Sequence, residues 1–148
     1  MEGYRKAAEL MKTALEKLLG ESLVSVVLFG SVARGDFSDT SDTDRLIVAK
    51  NLPGRRFERI KLLNKVEDLC RDELRTIHER YGITTYFSPI MKDVAEACRI
   101  SPLYLDIVED GIVLFDRDGF MSNLLERLRS RLRAMGARFG GVENGTGC

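Results

Sequence analysis

Two short apolar runs separated by a polar loop constrain this chain more than any other feature of its sequence. Ser22 to Phe29 (SLVSVVLF) is rich in β-branched and apolar residues over about the length of one strand, and Gly20 and Gly30 bound it. Asp44 to Lys50 (DRLIVAK) resumes a strand-like pattern, which Asn51 to Gly54 (NLPG) closes. Between the runs, Gly30 to Ser41 is dominated by Gly, Ser, Asp and Thr, with only Val32, Ala33 and Phe37 apolar. Such a segment reads as a loop or short helix, and the two strands as a hairpin around it.

Helical periodicity fills most of the remainder. Ala7, Leu10, Met11, Ala14, Leu15, Leu18 and Leu19 predict an amphipathic first helix that Gly20 can end in the left-handed conformation. From Arg55 to Arg80, the residues Phe57, Ile60, Leu63, Val66, Cys70, Leu74 and Ile77 mark one face of a long helix. Gly82 to Met91 reads as a third strand, with Pro89 placing it at an edge or a strand end. A short helix is expected over Lys92 to Cys98. Another runs to Glu109 from Ser101-Pro102, with serine as cap and proline in the first helical position. Ile112 to Phe115 predicts a brief strand, and Phe120, Met121, Leu124, Leu125, Leu128 and Leu132 a final helix. The fold class is α+β: a small mixed sheet covered by helices. One domain over residues 1–135 is expected, followed by a flexible tail over 136–148 that has no periodicity.

Composition narrows the function classes. Lysine plus arginine balances aspartate plus glutamate at 23 each, so no global positive field gives a strong nucleic-acid signal. No apolar run approaches membrane length, and the first residues form a charged amphipathic pattern instead of a secretory signal, which makes the cytoplasm the expected compartment. Cys70, Cys98 and Cys148 have no metal-ligand spacing, and their odd number suits reduced thiols. His78, among Arg75, Glu79 and Arg80, reads as a solvated side chain.

The chemistry is carried by Gly30-Ser31, ten further residues, and Asp42-Thr43-Asp44. A glycine leaving a buried strand permits a tight turn, and the following serine offers a hydroxyl and a backbone N–H to a phosphate. Asp42 and Asp44 are two apart at a strand start, so both can point to one face and coordinate the same metal ion or an adjacent pair, and magnesium suits such oxygen ligands. Rival motifs fail at identifiable positions. Gly30 to Gly35 has P-loop glycine spacing, but Asp36 and Phe37 stand where lysine and serine or threonine are needed. A calcium loop starting at Asp36 or Asp39 would meet Ile47 or Lys50 where a bidentate glutamate is required.

The stretch LFGSVARGDFSDTSDTDRLIVA resembles the signature of the DNA polymerase beta-type nucleotidyltransferase superfamily in its minimal form. A looser similarity continues through SPLYLDIVEDGIVLFDRDGF. The resemblance implies that Gly30 and Ser31 hold a nucleoside triphosphate, ATP above all. It also implies that Asp42 and Asp44 ligate Mg2+ and position the α-phosphate. Arg34 is a further candidate for a phosphate contact, and Ser41 for orienting the aspartates.

The implied reaction is transfer of a nucleoside monophosphate, AMP above all, to a hydroxyl acceptor. The implied setting is an antitoxin beside a small helical HEPN toxin, with a protein tyrosine as one acceptor; a homo-oligomer is compatible with it. Active members of the superfamily generally add a third carboxylate from a later strand, whereas Gly82 to Met91 contains no acid. The alternative reading is therefore a nucleotide-binding or partner-binding module with weak or no catalysis. Arg45, directly after Asp44, is expected either to face solvent or to pair with an aspartate.

Overall fold

The computed structural model describes residues 2–30, 42–82 and 86–136, with the backbone alone described at 2, 42, 43 and 86–88. The helices are α1 (Glu2–Leu19), α2 (Arg56–Tyr81), α3 (Val94–Ala97), α4 (Leu103–Asp110) and α5 (Phe120–Ala134). The strands are β1 (Leu23–Phe29), β2 (Asp42–Ala49), β3 (Tyr86–Lys92) and β4 (Ile112–Asp116). They form one sheet in the order β3-β2-β1-β4. β1 runs antiparallel to β2 and β4, and β2 runs parallel to β3. The mixed sheet and the pairing of the two apolar runs follow the sequence expectation, and β3 lies at an edge, where the missing N–H of Pro89 is tolerated.

Every residue of β1 is buried, because the strand is covered on both faces. On one face, Val24, Val27, Phe29, Leu46 and Val48 pack with Tyr104 and Ile107 of α4 and with Met121, Leu124 and Leu128 of α5. On the other, Leu23, Val26 and Ile47 meet Met11 and Leu15 of α1 and Val66 and Cys70 of α2. The period-2 alternation of the strands against helical stripes thus builds two apolar layers around one sheet. Cys70 is a free thiol in the second layer, and burial first, with Glu73 adding, pushes its pKa up, as for an inert core cysteine. His78 is exposed, as expected.

Local chemistry explains where the elements begin. Gly20 does take a left-handed φ of +54° after α1. The short helix is confined to Val94–Ala97 because Lys92 belongs to β3 and Asp93 caps the helix: Glu96 N–H donates to Asp93 Oδ1 at 2.7 Å, and Asp93 N–H to Glu96 Oε1 at 3.0 Å. Ser101 makes no side-chain cap, in contrast to the expectation. Its carbonyl accepts from Tyr104 N–H at 3.0 Å, and this turn starts α4 at Leu103. Arg59 joins three elements: its Nε donates to Pro53 O at 2.7 Å, Nη1 to Met91 O at 3.3 Å, and Nη2 lies 2.9 Å from Glu96. No described helix is long and apolar enough to cross a membrane.

Candidate active site

The exit of β1 and the entry of β2 meet at one end of the sheet, where Phe29 is paired with Asp44. Gly30 follows at φ +83°, a left-handed conformation that side chains rarely adopt. A Cβ built on Gly30 would collide with Asp44 Oδ2 and stand 3.1 Å from Cγ and 3.2 Å from Cβ of the same side chain. Gly30 is therefore required twice, by its dihedral and by the carboxylate lying against its Cα. The structure brings these two predicted site residues into contact although thirteen residues separate them in the chain.

Asp42 begins β2 two residues before Asp44, and its side chain is outside the description. Ser31, Arg34 and Ser41 also lie outside the described residues, as does the expected tail beyond residue 136. A hard divalent cation suits a carboxylate oxygen donor such as that of Asp44. Among the described residues no group of three or more His, Cys, Asp or Glu is arranged to hold a metal.

The neighbouring strand accounts for part of this. Along the β2/β3 pairing, Asp42 is opposite Tyr86 and Asp44 opposite Ser88, so the backbone positions beside the two aspartates carry no acid. A different aspartate invites consideration, since Asp116 is on a strand that also pairs with β1. Its register partner, however, is Ser25, four residues before Phe29, which is about 13 Å along a strand. Asp116 is also fully engaged. Oδ1 accepts from Ser25 Oγ at 2.7 Å and Met121 N–H at 2.8 Å, and Oδ2 from Ser122 N–H at 2.9 Å and Ser122 Oγ at 2.8 Å. Burial pushes its carboxyl up, but these hydrogen bonds outweigh burial and hold it below the ordinary carboxylate range. Asp116 fixes the start of α5 to the sheet and is not a third ligand. Sequence reading missed this role, although an aspartate shortly before a helix start is a recognisable capping signal.

Arg45 corrects one of the two expectations made for it, because it is fully buried and does not face solvent. Strand alternation sends it to the face opposite Asp44, toward α1 and α2. Burial pulls its pKa from 12.5 down to about 10, while Cys70 of α2 and Glu9 of α1 act in the opposite direction. The guanidinium is thereby separated by the sheet from the face that Asp44 shares with Leu46 and Val48.

Similarity to known proteins agrees with this geometry. The family model of the nucleotidyltransferase domain matches residues 8–100. A Methanocaldococcus jannaschii protein named "Putative protein adenylyltransferase MJ1305" is 40% identical over 112 residues, covering 74% of this chain and 70% of that protein. Among solved structures, a toxin-antitoxin complex with AMP-PNP aligns with a TM-score of 0.50 at 17% identity, covering 86% of this chain and 94% of the other. The spectinomycin adenyltransferase AAD(9) of Enterococcus faecialis, solved with ATP and spectinomycin, aligns with a TM-score of 0.53 at 11% identity, covering 88% of this chain and 66% of that one. At these identities the two structures bear on the fold alone.

Proposed function

The chain belongs to the nucleotidyltransferase domain family, and from that premise we propose that it transfers AMP from ATP to a hydroxyl of a protein acceptor. The observation that carries the reading is the Asp44 carboxylate lying against left-handed Gly30 at the exit of β1. In this reading Gly30 and Ser31 receive the triphosphate, Arg34 adds a charged phosphate donor, and Ser41 orients the aspartates. Asp42 and Asp44 hold Mg2+, which, when bound, neutralises phosphate charge and aligns the α-phosphate for in-line displacement.

The acceptor oxygen attacks the α-phosphorus, a new O–P bond forms, the α–β bridging bond breaks, and pyrophosphate carries away the electron pair. The acceptor proton passes to solvent, because the strand positions beside Asp42 and Asp44 are Tyr86 and Ser88, not acids. The name of the archaeal relative supports a protein acceptor, and a toxin partner of the HEPN type is proposed from the sequence resemblance alone. The absence of an acid at Tyr86 and Ser88 favours a second reading, a nucleotide-binding partner module with weak turnover.

Incubation with magnesium and labelled ATP, with and without a co-purifying partner, separates these readings. Wild type should transfer label, and a variant carrying Asp42→Ala and Asp44→Ala should not. Label transfer that survives in the double variant would sink the site assignment. Metal-dependent nucleotide binding without transfer would select the module.

A further inference from the structure

Apart from the Gly30–Asp44 site, a groove of about 750 Å³ lies between α1 and α2. Its α2 wall recurs at helical spacing, from Glu73 through Thr76, Ile77 and Arg80 to Tyr81, and its α1 wall does the same from Arg5 through Glu9 to Thr13. Leu10 and Ile77, at the margin of the apolar cluster around Tyr4 and Leu28, line it between these stripes. Two facing stripes of this kind form a seat for a third helix. Most backbone groups along them are already bonded within α1 and α2, so an occupant must satisfy its own, which a helix does.

The groove is oriented with respect to the active site. Tyr4 and Ala8 cluster with Leu28 and Ile77, and Met11 and Leu15 with Leu23, Val66 and Cys70, so α1 runs antiparallel to α2. The Arg5 and Tyr81 end of the groove therefore lies toward the exit of β1, where Phe29 pairs with Asp44. Tyr81 ends α2, and Tyr86, the register partner of Asp42, begins β3. That length of chain spans at most about 18 Å.

Charge distinguishes the two ends. Arg5, Lys6 and Arg80 gather at the end toward the site, with Lys6 Nζ 5.4 Å and Arg80 Cζ 5.6 Å from the Tyr81 ring centroid. The C-terminus of α2 favours Arg80, but Arg5 stands in the first turn of α1, where the helix dipole disfavours a cation. Helix stability thus does not account for the cluster. Of the two acids on the walls, Glu9 pairs with Lys12 at 3.5 Å, and Glu73 is about 10 Å back along α2 from Arg80.

We propose that this groove docks a helical segment of the protein acceptor, about two turns long, with an apolar stripe on Leu10 and Ile77 and acidic residues against Arg5, Lys6 and Arg80. The inference rests on the transfer reading only for the identity of the partner as the acceptor. It places the accepting hydroxyl beyond the acidic end of the segment.

Fluorescence anisotropy of the full chain, without ATP or metal, tests the groove. The probe is a labelled alanine-rich peptide of about 16 residues, long enough to be helical. It carries leucines three and four residues apart, two glutamates at one end, and beyond them a tyrosine on a glycine-serine linker of about six residues, which reaches about 18 Å when extended. Saturable binding is expected, and replacement of the leucines by serine should abolish it. Arg5→Glu with Arg80→Glu should weaken binding at least about tenfold, and a peptide with lysines in place of the glutamates should restore it to that variant. Thr76→Trp, which fills the groove from an exposed position, should weaken binding with the circular dichroism spectrum unchanged. A wild type that does not bind the peptide, or binding indifferent to both variants, overturns the proposal. So does displacement of the peptide by a single-stranded RNA, or a mass above 16.7 kDa in sedimentation that Arg5→Glu with Arg80→Glu abolishes, which would give the groove to a second copy. Adding magnesium and labelled ATP keeps the two readings apart: binding without labelling of the tyrosine counts against the transfer reading alone, and labelling unaffected by both variants against the groove alone.

Discussion

Asp44 and Asp116 both sit on strands paired with β1, yet they are put to different uses. At Asp116 four donors from Ser25, Met121 and Ser122 surround the carboxylate, and its charge is spent on joining α5 to the sheet. At Asp44 the carboxylate occupies the space that a side chain on Gly30 would take at the strand exit. Residue type and strand location do not separate a structural acid from a candidate catalytic one. What separates them is the surroundings that the chain supplies to the oxygens.

The largest test of that contrast is Asp44→Ala. Label transfer from ATP should fall by about 100- to 1000-fold, the usual loss when one group stabilising transition-state charge is removed. An unchanged rate would break the comparison. The same assay on Asp116→Asn should show transfer within a few-fold of wild type once the protein is folded, because that carboxylate is about 13 Å along the sheet from the site.

Next in size is Gly30→Ala, which forces a side chain into a left-handed conformation and against Asp44. Denaturant melts should show a loss of about 1–3 kcal/mol, and calorimetric titration should show weakened magnesium-dependent nucleotide binding. Retained affinity would mean that Asp44 can move aside without cost.

Asp116→Asn should cost about 1–3 kcal/mol near neutral pH, since an amide nitrogen cannot accept the hydrogen bonds that the second carboxylate oxygen does. The pH dependence has a definite sign. The folded-state pKa of Asp116 lies below its ordinary value of 3.8, so its contribution is full above that value and is lost as pH falls through the lower folded value. The stability gap between wild type and variant should therefore narrow on acidification, which urea melts at successive pH values would detect. A gap that widened would reverse the assignment.

The smallest effect is expected from Ser25→Ala, which removes one of the four donors to Asp116. A loss of about 0.5–1.5 kcal/mol in thermal or urea unfolding is expected, with transfer unchanged.

Much of the fold was legible beforehand. Strands β1 and β2, both long helices, the final helix and the edge position of β3 announce themselves through periodicity, because burial of one face imposes a repeat of two or 3.6 residues on the chain. The start of α4 was misplaced by an apparent serine cap, as a turn through the Ser101 carbonyl competed with side-chain capping. Of the candidate site, the residue types and the spacing of Gly30, Ser31, Asp42 and Asp44 were readable. The apposition of Gly30 and Asp44 was not, since it depends on the register of β1 against β2.

The sequence by itself determined a mixed sheet with helices on its faces and a glycine and two aspartates at the junction of its first two strands. Tertiary structure alone decided which acid approaches that glycine, that Tyr86 and Ser88 stand beside the aspartates, and that Arg45 is buried on the far face. The physical reason is that a hydrophobic pattern reports whether a residue must leave water, whereas strand register and pleat decide whom it meets when it does.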